Sequence, residues 1–259
     1  MVTNNTILSA KDMSFLEEVV VRFGRIVSFD QLQEVFKKHY SLGGAKNRIA
    51  RLARLGWLIR LKKGLFIVIT DIGSLSTRDI SLFTISQALN NDSYVSFENA
   101  LQYHGMFDQM LSSVGSITFK QARRYKINEI EIRFFKIKKE LYFGFAQERS
   151  DIGLVNIASK EKALLDILYF RSNVYYAGLV LEKLSAYKKN FDFILLKEYA
   201  KKFNLDIIRQ IGFFLDHLGI DTMDLAKIIS GKKGYSRMTK ESVDFNSKWR
   251  LYFDRRIIK

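Results

Sequence analysis

Residues 43–69 read GGAKNRIARLARLGWLIRLKKGLFIVI, and this stretch decides the fold. Ala45, Ile49, Leu52 and Leu55 recur at helical spacing, while Asn47, Arg51 and Arg54 stand at i, i+4 and i+7 on another face. One stripe packs inward and the other faces out. Two runs of β-formers follow, Trp57 to Leu61 and Leu65 to Ile69, separated by Lys62-Lys63-Gly64, with Gly64 free to take the positive φ of a tight hairpin turn. The pattern predicts the recognition helix and wing of a winged helix-turn-helix.

The residues before it supply the other two helices. Ser14 is expected to cap a helix through Phe23, with Glu17 at the capping-box position and Gly24 as its stop. Ile26-Val27 reads as an extended link, and Ser28 with Gln31 opens a helix over Phe29 to Lys38. A Tyr40-Ser41-Leu42 turn then delivers the basic helix. Gly43 and Gly44 belong at its first turn, because each costs about 1 kcal/mol in a helix interior relative to Ala.

Charge makes this shape a functional expectation. Lys46, Arg48, Arg51, Arg54, Arg60, Lys62 and Lys63 fall between Gly43 and Ile69 with no acidic residue among them. An α-helix fits the major groove of B-DNA, where Arg reads guanine and Asn reads adenine, while basic wing residues hold the backbone. The DNA-binding set expected is therefore Lys46, Asn47, Arg48, Arg51 and Arg54 on the helix, with Arg60, Lys62 and Lys63 on the wing. The competing reading is a solvated basic helix, or a winged helix serving as a protein-binding module.

Composition agrees with a polyanionic partner. The 259 residues carry a net charge of +15 and a pI near 9.8, and 47% apolar with 14% aromatic residues is enough for two cores. No apolar run approaches the roughly 18 residues of a membrane span. Met1 to Asp12 shows no basic segment followed by an apolar one, so a cytoplasmic protein without a secretory leader is expected. With no cysteine, every Cys-based zinc site and thiolate nucleophile is excluded. His39, His104 and His217 are far apart and form no H-x-x-x-H pair, so neither metal nor cofactor is expected.

Thr70 to Arg78 reads as the boundary, giving a winged-helix domain at 1–72 and a second domain at 78–259. The second begins with a helix over Asp79 to Asn90, an extended Tyr94-Val95, and a helix Phe97 to His104 capped by Ser96. Between Ser113 and Ile157 the period changes to two: Ser116 to Phe119, Glu129 to Phe134, Leu141 to Phe145 and Leu154 to Ile157 read as strands of one mainly antiparallel sheet. Ser159 then caps a helix, with Glu161-Lys162 as a polar first turn. Helices follow at about Tyr175–Lys189, Phe193–Phe203, Ile207–Leu218 and Thr222–Ile229, the last three opened by Asp192, Asp206 and Asp221. Trp249, Leu251 and Phe253 form a closing strand. The fold class expected is α+β.

No enzyme is expected. Glu98, Glu131, Lys136, Lys138 and Asp166 offer the residue types of a metal nuclease, but no acid-x-Lys pair ends a strand with an Asp upstream in a turn. A serine hydrolase lacks its G-x-S-x-G.

Three words of the chain resemble the AbiEi family of antitoxins, from bacterial abortive-infection type IV toxin-antitoxin pairs. Arg54-Leu55-Gly56-Trp57-Leu58-Ile59-Arg60-Leu61-Lys62-Lys63-Gly64-Leu65-Phe66 looks like the family's wing. Tyr94-Val95-Ser96-Phe97-Glu98-Asn99-Ala100-Leu101-Gln102-Tyr103-His104-Gly105 looks like its Y-V-S-x-x-x-A-L-x-x-H-G segment. Ile157-Ala158-Ser159-Lys160-Glu161-Lys162-Ala163-Leu164-Leu165-Asp166 resembles its I-A-x-P-E-K-A-L-L-D word, with Lys160 where relatives often carry Pro, and Asn246 with Trp249-Arg250 resembles its C-terminal strand. The resemblance implies a DNA-binding autorepressor of its own operon, whose second domain opposes a nucleotidyltransferase toxin without a stable complex. It also leaves a plain winged-helix regulator open, with a second domain that senses a ligand or dimerises.

Overall fold

Ser9, not Ser14, opens the first helix. Its hydroxyl accepts from the amide of Asp12 and starts α1 (Ala10–Phe23), leaving Ser14 inside the helix. The earlier start prevails because Asp12 stands three residues after Ser9, in the helix's first turn, where a carboxylate is favoured. The computed structural model describes residues 8–70, 81–127, 130–150 and 152–258, and shows a mixed α+β protein that divides into two compact units, Met1–Asn91 with Glu148–Val155, and Asp92–Gln147 with Asn156–Lys259.

In the first unit, β1 (Ile26–Ser28) leads to α2 (Phe29–Phe36), whose N-terminus is closed by the reciprocal Ser28–Gln31 capping box. Ser41 caps α3 (Leu42–Arg54) by accepting from Gly44, so both glycines lie in the first turn. Then β2 (Leu58–Lys62) and β3 (Leu65–Val68) form a hairpin through Gly64 at φ +77°, and the sheet order is β1-β3-β2. Ala45, Ile49 and Leu52 are buried with Phe15, Val19, Leu32, Phe36, Trp57 and Ile67. Phe15 packs on Phe36, His39 and Tyr40, with ring centroids 5.0–5.8 Å away.

The boundary expected at Thr70 to Arg78 lies, apart from Thr70, outside the described residues, as does the start of the helix expected from Asp79. The part that is described, α4 (Leu82–Leu89), belongs to the first unit together with Glu148–Val155, and the hydroxyls of Thr84 on α4 and Ser150 meet at 2.6 Å.

The second unit is built on β4 (Ser93–Val95), β5 (Ser113–Thr118), β6 (Arg123–Ile127), β7 (Ile130–Lys136), β8 (Phe145–Ser150) and β9 (Gly153–Ala158), in the order β6-β7-β5-β4-β9-β8. The sheet is mixed, where a mainly antiparallel one was expected: β4 runs antiparallel to β5 and β6 to β7, but β5 is parallel to β7 and β4 to β9. Strand β6 was not foreseen, because Arg-Arg-Tyr-Lys-Ile carries too few apolar residues to show a buried face. Leu141 ends a short 3-10 turn (Lys139–Leu141) rather than opening a strand, and pairing starts only at Phe145.

Between β4 and β5 lies α5 (Phe97–Tyr103). After β9 come α6 (Lys160–Phe170), α7 (Val174–Ala186), α8 (Phe193–Lys201), α9 (Leu205–His217) and α10 (Met223–Ile229). Ser159 and Asp192 cap as expected, whereas Asn173 and Asn204 take the places given to Tyr175 and Asp206. Helix α9 is buried from Ile207 to Leu215. Against it lies a three-stranded sheet, β10 (Ser236–Arg237), β12 (Leu251–Phe253) and β11 (Asp244–Asn246), with the Trp249 indole donating to Asp216 at 2.7 Å. Buried Arg209 donates to the Ser236 hydroxyl at 2.7 Å and fixes the other end.

Two helical glycines should respond oppositely to the same change. A Cβ at Gly212 would lie 2.2 Å from the Trp249 ring, whereas one at Gly178 meets nothing within 4 Å. Gly212→Ala should destabilise by about 1 to 3 kcal/mol, and Gly178→Ala should stabilise by up to about 1 kcal/mol. Chemical denaturation of the two variants checks this, and a shift of the same sign in both refutes the packing account.

Candidate nucleic-acid interface

Helix α3 presents its polar stripe outward because Ala45, Ile49 and Leu52 hold the opposite stripe in the core. Lys46, Asn47, Arg51 and Arg54 are exposed along it, and Arg60 on β2 and Lys63 in the hairpin turn are exposed as well. Among the described residues none of these six side chains has a hydrogen-bond or ion-pair partner, so five cations and one amide face solvent uncommitted.

Two members of the expected set are committed elsewhere. Arg48 grips buried Asp12 with two bonds, Nε to Oδ1 at 2.5 Å and Nη2 to Oδ2 at 2.8 Å. Asp12 is 2% exposed and needs that counter-charge, so Arg48 ties α3 to α1 instead of facing DNA. Lys62 donates to the carbonyl of Leu89 at 2.7 Å, at the negative C-terminal end of α4. A register shift between Arg60 and Lys62 explains its turn: it buries both Leu58 and Leu61, three apart, and so breaks the alternation that would have kept Lys62 outside.

A second basic surface, missed in the sequence because β6 was missed, lies on the edge pair β6–β7. Arg123, Arg124, Lys126, Arg133 and Lys136 are exposed there, beside a groove of about 550 Å³ lined in part by Arg124, Lys126 and Arg133. Glu131 pairs with Arg133 and its carboxyl is held below the usual range by that bond.

The residues weighed as a nuclease are dispersed. Glu98 faces Arg171 at 3.6 Å, Glu131 pairs with Arg133, and Asp166 is fully buried against Lys162. Among the described residues no three His, Asp or Glu side chains are grouped to hold a metal ion.

The Glu161-Lys162 turn is the largest departure from expectation: it is buried, not solvated. Lys162 pairs with Asp166 one turn on and donates to the Tyr94 hydroxyl at 2.8 Å, while the Ser96 hydroxyl donates to Asp166 at 2.7 Å and Tyr94 donates to it at 3.2 Å. Ser96 therefore does not cap α5; its hydroxyl is spent on the carboxylate. The ammonium sits 5.2–5.3 Å from the ring centres of Tyr94, Phe143 and Phe203. Burial lowers the Lys162 pKa and raises that of Asp166, with the partner's charge opposing each shift, and burial followed by the Asp166 charge raises Tyr94. His104 reaches the Ala158 carbonyl at 2.8 Å. The residues of the second and third words thus meet in one buried cluster.

These features define a two-unit α+β protein with a basic, outward-facing helix and hairpin. No protein-family model matches the chain, and no curated protein matches it. Among solved structures it is similar to the crystal structure of the RV2827C protein from Mycobacterium tuberculosis, at a TM-score of 0.62 and 14% identity, over 96% of this chain and 92% of that one. That likeness establishes the fold alone.

Asp166→Ala should cost about 3 to 5 kcal/mol, since it leaves a buried ammonium without its counter-charge. Adding Lys162→Met should return part of that loss. Urea unfolding of the single and double variants decides it: a single variant within about 1 kcal/mol of the parent would show that the pair is not carrying the cluster.

Proposed function

We propose that the chain is a non-enzymatic DNA-binding antitoxin and autorepressor, whose first unit is a winged helix-turn-helix that reads duplex DNA. The observation that carries the DNA reading is the uncommitted set on α3 and the hairpin. Asn47, Arg51 and Arg54 lie at one-turn spacing on a helix face of the width a major groove admits, with Lys46 beside them and Arg60 and Lys63 available to flanking phosphates. The antitoxin half is supported by the resemblance to AbiEi proteins, whose second and third words fold here into one cluster. A cytoplasmic location suits both halves, and no helix among the described residues is long and apolar enough to cross a membrane.

Binding should be steeply salt-dependent: with about four phosphates neutralised per protomer, log K falls with log salt at a slope near −3.6. Arg51→Ala should cost roughly 1 to 3 kcal/mol on the cognate site, whereas Lys63→Ala should weaken all duplexes alike. Arg48→Ala should lower stability, leaving the salt slope unchanged. Fluorescence anisotropy on duplexes from the chain's own upstream region measures these effects. Unchanged affinity in an Arg51, Arg54, Arg60 triple alanine variant would sink the assignment.

Antitoxicity is tested apart from repression. The same triple variant, co-expressed with a nucleotidyltransferase encoded beside this gene, should release the promoter yet still restore growth. Growth arrest with soluble, folded variant present would refute the separation, and absence of any such neighbouring gene would favour the ligand-sensing or dimerising regulator.

A further inference from the structure

The three-stranded sheet β10-β12-β11 turns one face toward α9 and the other toward solvent. Ser236 and Leu251 are buried on the inner side, and alternation along the strands puts Arg237 and Tyr252 on the outer one. Register sets Arg237 opposite Tyr252 and Tyr252 opposite Phe245, so one cross-strand row carries an arginine and two rings. Tyr235 extends it, its ring centre 5.1 Å from that of Tyr252, and Phe245 lies 4.9 Å away on the other side. The Arg237 guanidinium rests on Tyr252 at 4.3 Å, held by a 2.6 Å bond to the Ser242 carbonyl. Tyr235 is 60% exposed and Phe245 50%.

The charge around this row is one-sided. From Lys232 to Arg256 there are eight Lys and Arg against three acids. Asp244 is taken by Arg255, and Glu241 and Asp254 are taken by Arg256. Lys232, Lys233 and Lys240 are exposed, and among the described residues their side chains have no partner. Arg250 holds the non-glycine φ of +50° just before β12, with its Nε bonded to the Gly234 carbonyl at 2.7 Å, next to Tyr235.

We infer that this face is a stacking platform for single-stranded RNA, with unpaired bases on Tyr235, Phe245 and the Arg237 guanidinium, and phosphates on Lys232, Lys233 and Lys240. Exposed rings gain nothing from a duplex, whose bases are already stacked. They gain about 1 to 3 kcal/mol per base from a strand whose bases are free. RNA loops and ends present unpaired bases as their ordinary state, and it is on aromatic and guanidinium planes that they are taken up. Unpartnered cations with every local acid engaged fit a polyanion better than an acidic-and-basic protein surface. The inference goes beyond the duplex-binding reading of α3 and does not depend on it.

The full-length protein is titrated against a labelled, unstructured RNA of about 12 nucleotides, a length within the reach of a small stacking surface. Tyr235→Ala with Phe245→Ala should weaken binding by about tenfold or more, with net charge unchanged, so that general attraction to phosphate is held constant. Phe245→Leu keeps the bulk without the ring and should give a loss in the same direction. Arg51→Ala with Arg54→Ala should leave RNA affinity within about twofold, as expected of sites that act separately. The proposal is overturned if the aromatic variant binds RNA like the parent, if loss follows the α3 variant instead, or if an RNA duplex or a DNA strand of the same sequence binds as tightly as the RNA strand.

Discussion

The second unit depends on one buried ion pair. Removing Lys162 and Asp166 from water costs several kcal/mol per ion, and only tight surroundings offset it. Those surroundings come from separate parts of the chain: hydroxyls of Tyr94 and Ser96 at the end of β4, Phe143 ahead of β8, and Phe203 after α8. Helix α6 supplies both charges at i and i+4, and its Ser159 cap fixes the turn on which Lys162 sits. A strand, a helix and two loops must all be in place before the pair is satisfied. Its strength lies in specifying this arrangement over others, since an apolar core of the same volume would be at least as stable.

The first unit uses the same device once, at smaller scale. Asp12 enters the core through its place one turn inside α1, and Arg48 follows it from α3. The stripe that projects from α3 is thereby narrowed to Lys46, Asn47, Arg51 and Arg54, which stay exposed. Lys62 is turned aside by the bulge that buries Leu61. An ion pair for Arg48 and strand packing for Lys62 decide which cations are left unpartnered.

What the sequence made legible is what depends on neighbours within a turn. The Ser28–Gln31 box, the Gly64 turn and the Ser159 cap are each set by residues two to four apart, and each stands where the local pattern places it. What it hid depends on partners far along the chain. Ser96 has the spacing of a cap but gives its hydroxyl to Asp166, 70 residues on. Lys162 looks like a solvated first turn until the Tyr94 hydroxyl is brought to it from 68 residues away. Strand β6 shows no buried face because it is an edge strand held mainly by pairing with β7. Of the eight side chains expected to meet DNA, six stand exposed as their helical and strand spacing suggests; Arg48 and Lys62 do not, because their partners, Asp12 and the Leu89 carbonyl, lie 36 and 27 residues off.

A net charge of +15 therefore does not describe one surface. Lys162, Arg48, Lys248 and Arg256 are spent on carboxylates and hold structure. The cations left over fall in sets that differ in what stands between them. On α3 they are interleaved with Asn47 and small Ala50 on a cylinder, a shape that enters a groove and meets base edges. On the β10-β12-β11 face they flank aromatic rings, a shape that meets base planes. On the proposed readings both would draw a polyanion by charge, and both would then weaken with salt. They diverge only at contact, where a paired base offers its edge and an unpaired one its face. The apolar and amide side chains between the charges, rather than the charges, are what distinguish the two proposed surfaces.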